Sequence, residues 1–77
     1  MHIQTRCARI TGPLSYLNGS GRKQNVPLGP CLVEVMGGRF ADVIWGTRGQ
    51  RCEAFPIEDI EAAQTHGHLE FIPCTTA

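Results

Sequence analysis

Cys31-Leu32-Val33-Glu34-Val35-Met36-Gly37-Gly38-Arg39-Phe40-Ala41-Asp42-Val43-Ile44-Trp45 is the stretch that decides the architecture. Two runs of β-branched and aromatic residues flank a Gly-Gly pair, and glycine takes φ > 0 without steric cost. Residues 31–36 and 39–45 are therefore expected to form a tight β-hairpin. Along the second run, Phe40 and Ile44 fall on one face and Ala41, Val43 and Trp45 on the other. A strand with one wet face alternates apolar with polar residues, and this one does not. Trp45 reads as core. Phe40 and Ile44 then need either more of the chain or a partner to cover them.

Working outward, Gly46-Thr47-Arg48-Gly49-Gln50 reads as a second turn and Arg51-Cys52-Glu53-Ala54-Phe55 as a third strand of a meander. Pro56 to Gly67 reads as a short helix. Proline suits the first helical position, Glu58 and Asp59 face the positive end of the dipole, and Gly67 suits a left-handed C-terminal cap. Ile57, Ile60 and Ala63 make only a narrow apolar stripe, so this helix needs a sheet beneath it. Residues 68–72 read as the closing strand, stopped by Pro73, with 73–77 as a frayed tail. On the N-terminal side, His2 to Ile10 alternates like a strand. Residues 11–30, with Gly12, Gly19, Gly21, Gly29, Pro13, Pro27 and Pro30, form a long first loop with extended pieces near 14–17 and 24–28. An irregular excursion of that length in a small domain is either functional or a bent hairpin of its own.

Composition narrows the function classes. A chain of 77 residues, 42% hydrophobic and 18% charged, folds as one small globular domain, 1–77, and is neither disordered nor a two-domain enzyme. No uncharged apolar stretch approaches the ~20 residues of a membrane helix. The N-terminal Met1-His2-Ile3-Gln4-Thr5-Arg6 has no apolar segment behind its charge, so the expectation is a cytoplasmic protein with no membrane partner. The net charge of zero hides an asymmetry. All seven basic residues precede residue 52, against Glu34 and Asp42, whereas residues 52–77 hold five acids and no Lys or Arg.

The order of elements resembles the SH3-like barrels. That resemblance rests on Gly29 to Ile72, above all on Phe55-Pro56-Ile57-Glu58-Asp59-Ile60-Glu61 between the fourth and last strands. It implies a mainly-β fold, a small SH3-like barrel with a long first loop and one short helix before the last strand, and it is nearly silent on function. The type II dihydrofolate reductases are similar in length and in the same step. Their Val-Gln-Ile-Tyr segment stands before the shared proline, where this chain has Cys52-Glu53-Ala54-Phe55. The carboxamide and the phenol hydroxyl are both replaced. A reductase of this kind is accordingly the lesser alternative, and the chain is expected not to be an enzyme.

Other chemistry-bearing residues are sparse. Cys7, Cys31, Cys52 and Cys74 lie far apart and lack the paired spacing of zinc ligands; of the histidines only His66 and His68 are close, with Gly67 expected to swing their rings apart. No metal and no cofactor is expected. Cys7, Cys31 and Cys52 read as small buried apolar residues, though Cys7 and Cys74 face each other if the first and last strands pair. Four cysteines allow three pairings, but no export signal supports an oxidising compartment, so disulfides are not expected. Gly19-Ser20-Gly21-Arg22-Lys23 is glycine-rich and basic without phosphate-loop spacing, and as an anion contact it is secondary to a plain surface loop.

Two function classes remain. The first is a protein-binding module or regulatory accessory, or a self-associating chain, with Tyr16, Phe40 and Ile44 as the apolar anchors. The alternative is a DNA- or RNA-binding module that grips phosphates with Arg22, Lys23, Arg39, Arg48 and Arg51 on its turns.

Overall fold

The computed structural model describes residues 3–46 and 48–74. His2 of the expected first strand, Thr47 of the second turn and residues 75–77 of the expected tail lie outside them. Seven strands and one helix follow in the order β1 (Ile3–Ile10), β2 (Ser15–Leu17), β3 (Lys23–Asn25), β4 (Gly29–Met36), β5 (Phe40–Trp45), β6 (Arg51–Pro56), α1 (Ile57–Thr65) and β7 (Leu69–Phe71). The protein is mainly β, with the short helix directly before the last strand.

Five strands form one antiparallel sheet in the order β6-β5-β4-β1-β7, and β2 and β3 pair separately as a hairpin. Among the described residues β6 and β7 each pair on one side only, so the sheet is open rather than closed into a barrel. Closure would need strands to bridge these edges. The long first loop supplies only the three-residue β2 and β3, and they pair with each other instead.

The β4–β5 connection departs by one residue from a two-residue turn. Met36 pairs with Phe40, leaving Gly37, Gly38 and Arg39 in the loop. Both glycines have positive φ, 73° and 84°. Arg39 leaves the β4 ladder because its carbonyl accepts a 2.9 Å hydrogen bond from the Ile57 N–H, which ties the turn to the start of α1.

Alternation distributes the core. Ala8 and Ile10 of β1, Cys31 and Val33 of β4, Ala41, Val43 and Trp45 of β5, Phe55 of β6 and Leu69 of β7 are all buried on one face. α1 covers that face with Ile60 and Ala63, and the first loop covers it with Leu14 and Val26. Pro56 is the helix N-cap rather than its first residue, with φ −57° and ψ 144°, so it serves both the end of β6 and the entry to α1. At the other end Gly67 has φ 76°, and the Gly67 and His68 amides donate to Gln64 and Ala63. Residues 11–30 are thus a hairpin plus its connections, not a structureless loop.

β1 and β7 do pair, with Ala8 opposite Phe71, and the ladder continues with the Ile72 N–H donating to Cys7. Just beyond it, Cys7 and Cys74 are joined in a disulfide. Residue 74 is therefore tied to the first strand rather than lying in a free tail. The Arg6 guanidinium stacks 3.8 Å over the Phe71 ring, holding the short edge strand from the other side.

Candidate functional site

The uncovered face of the sheet holds the most unusual surface. Register places Cys7, Leu32, Ile44 and Cys52 side by side across four strands, and Thr5, Glu34, Asp42 and Ala54 in the next row. Phe40 stands beyond them on β5, paired with Pro56. Among the described residues, neither helix nor hairpin lies over these rows. Phe40 is 55% exposed and Leu32 38% exposed, and Ile44 is half-buried. At the Ile44 end the face sinks into a depression of about 380 Å³ between Cys7, Leu32, Ile44, Gly49, Ile72 and Pro73.

Glu34 and Asp42 are directly opposed on neighbouring strands, and their lateral neighbours are Thr5 and Ala54. Like charges at cross-strand positions destabilise a sheet, and no cation occupies this row to offset them. An apolar face with an uncompensated carboxylate pair at its centre fits a surface that is apolar and carries a cation. Carbon burial would supply affinity, and the charge would supply register.

Phe40 and Ile44 are thus brought to one face, as their alternation predicts. Tyr16 is not with them. It lies on the opposite face, half-buried on β2, with its ring 5.7 Å from Trp45 and 6.3 Å from Phe55 and its hydroxyl donating to Gln24 at 3.1 Å. Tyr16 pins the hairpin to the core and stands apart from Phe40 and Ile44. Leu32 stands beside Ile44 instead. Its position was legible in the alternation of Cys31 and Val33 with Leu32, a signal hidden by the uniformly apolar look of the run. Leu17 and Leu28, 67% and 72% exposed, belong to the first loop and lie off this face.

The five candidate phosphate contacts are all exposed, and Arg39 stands apart from Arg48 and Arg51. Arg39 is in the β4–β5 turn, whereas Arg48 and Arg51 lie at the other end of β5, about 20 Å away at strand rise. Arg22 and Lys23 are on the hairpin, whose Gln24 shares a depression with Tyr16, Trp45 and Arg51. The glycine-rich loop is already satisfied internally. Asn18 Oδ1 accepts from the Ser20 and Arg22 amides at 2.9 and 3.0 Å, and the Asn18 carbonyl accepts from Gly21. A loop that spends its amides on an Asx turn has few left for an anion.

The remaining cysteines separate. Cys31 is buried in the core, and burial pushes its thiol up to about 11. Cys52, expected in the core, is exposed on the β6 edge because its alternation places Phe55 and not Cys52 inward. Its thiol is raised by partial burial and then by the charges of Asp42, Glu53 and Glu34. A raised thiol is a poor nucleophile at neutral pH. His66 and His68 are closer than Gly67 suggests, with ring centroids 5.9 Å apart, while His66 Nδ1 lies 2.7 Å from the Ala62 carbonyl. No group of three or more His, Cys, Asp or Glu side chains among the described residues is arranged to hold a metal. No helix among them is long and apolar enough to cross a membrane.

Compared with family models, with curated proteins and with solved structures, the chain matches none of them.

Proposed function

We propose that this chain is a non-enzymatic protein-binding module whose working surface is the uncovered face of the five-stranded sheet. One observation carries the reading: Leu32, Ile44 and Phe40 stand exposed or half-exposed around the opposed carboxylates Glu34 and Asp42. The partner chemistry that fits is an apolar segment bearing Lys or Arg. The dispersal of Arg39 from Arg48 and Arg51 weighs against the nucleic-acid alternative. The replaced amide and phenol at Glu53 and Phe55 weigh against a reductase.

A fluorescence-anisotropy panel of labelled peptides, apolar–cationic against apolar–neutral and apolar–acidic, tests this reading beside mobility-shift titrations with mixed-sequence DNA and RNA. The expected result is selective binding of the apolar–cationic peptides, weakened at least tenfold by Ile44→Ser or by Glu34→Gln with Asp42→Asn. Salt-sensitive shifts of nucleic acid, removed by Arg48→Ala and Arg51→Ala with no peptide bound, would overturn it.

A further inference from the structure

The two edges of the sheet are not equally protected. β7 is three residues long, followed by Pro73 and tied down by the Cys7–Cys74 bridge. β6 is six residues long, pairs with β5 in unbroken register, and has its one proline at the end that enters α1. Natural edge strands are usually blunted by shortness, bulges, proline or charged side chains; residues 51–55 have no bulge, lysine or proline, and Arg51 and Glu53 are the charges they carry. Cys52 and Ala54 are exposed there.

The hydrogen-bond phase of this edge follows from one contact. Ile57 N–H donates to Arg39 in the same ladder that pairs Phe40 with Pro56. Antiparallel pairs alternate between bonded and non-bonded, so Phe55, Glu53 and Arg51 turn their backbone groups toward β5. Cys52 and Ala54 therefore turn N–H and C=O outward. Among the described residues these donors and acceptors have no strand partner.

We propose that β6 pairs antiparallel with β6 of a second copy of this chain, about a two-fold axis at Cys52. Four registers would match the outward groups of two such edges, and centring the axis on Arg51 sets the two Arg51 guanidiniums opposite each other. Centring the axis on Glu53 sets the two Glu53 carboxylates opposite each other. Centring it on Ala54 places Pro56 opposite Cys52, where a donor is missing. Centring it on Cys52 places Arg51 opposite Glu53 of the second copy, twice, in the closer non-bonded pairs, with Gln50 opposite Ala54. Charge and donor count select the same register. The result is one continuous ten-stranded sheet, and the Cys7–Leu32–Ile44–Cys52 row runs on across the axis into its copy. This goes beyond the binding-module reading, because it uses the strand edge and not the apolar face.

Sedimentation velocity on the full chain, with native-state cross-linking by a short bis-maleimide at mildly alkaline pH, tests the pairing. Cys52 is the exposed free thiol and Cys31 is buried, so the cross-link reads the axis itself. Paired residues at the axis have Cα atoms about 5.5 Å apart, well within its reach. The expected result is a concentration-dependent dimer, cross-linked in the parent chain and not in Cys52→Ser. Ala54→Pro, which removes an outward N–H that β5 does not use, should weaken the dimer at least tenfold. So should Glu53→Arg alone, while Arg51→Glu with Glu53→Arg should restore it. Circular dichroism checks that each variant folds, and the charge exchange decides the matter if the proline variant does not. A monomer at all concentrations, or a dimer indifferent to the charge exchange, overturns the proposal. Ile44→Ser should leave the dimer intact while losing the apolar–cationic peptide, so the two readings fail separately.

Discussion

Cys31 and Gly12 show how much a single position depends on its neighbours. The Cys31 thiol ionises near 9.0 when solvated and near 11 in the core, because burial disfavours the thiolate. The folded state thus holds a proton that the unfolded chain gives up. Stability from this group is complete below pH 9 and is lost as pH rises from 9.0 toward 11. Denaturant titrations of the parent chain should show a decline of about 2 kcal/mol from this group across that window, and a smaller decline in Cys31→Ala. Gly12 has a steric role. The Thr11 and Gly12 amides both donate to the His68 carbonyl, and a Cβ on residue 12 would lie 2.5 Å from His68 Cδ2 and 3.2 Å from its Cα. Gly12→Ala should cost about 1–3 kcal/mol in thermal melts.

At the scale of elements, the two glycine-rich turns differ in what they demand. Gly37 and Gly38 have open space around them but positive φ, so the cost of a side chain there is backbone strain. Gly38→Ala should lose about 1 kcal/mol in chemical denaturation. Gly19, in the hairpin loop, has neither a positive φ nor any atom within 4 Å of a new Cβ. Gly19→Ala should be close to neutral, within about 0.5 kcal/mol. A similar result for both substitutions would mean that the β4–β5 turn is not held as described. The helix depends on the sheet for its stability. Only Ile60 and Ala63 are buried on it, and its ends are fastened by Arg39 and by Gly67 and His68.

At the scale of the molecule, the Cys7–Cys74 bridge closes 67 residues of sequence and fastens the edge strand to β1. Chain-entropy reasoning assigns such a loop about 4 kcal/mol. Reduction should lower the midpoint of unfolding strongly, and a thiol titration of the unreduced, denatured chain should find two thiols rising to four on reduction. Four thiols from the outset, under non-reducing preparation, would contradict the bridge. Such bridges form and persist most readily under oxidising conditions.

The pattern of residues by itself determined the local elements. Alternation in 40–45 separated Phe40 and Ile44 from Ala41, Val43 and Trp45, the Gly-Gly pair marked the hairpin, and Pro56 and Gly67 bracketed the helix. Each of these depends on contacts or dihedrals within a few residues, so the chain carries the signal locally. Pairing between distant strands decided the rest. Only the β1–β7 ladder brings Cys7 to Cys74, and only the packing of the β2–β3 hairpin on the core draws Tyr16 away from Phe40 and Ile44. The opposition of Glu34 to Asp42 and the open edge at Cys52 exist only once register and strand order are set. Those follow from how the whole apolar surface is buried at once, a collective quantity that no short stretch of sequence contains.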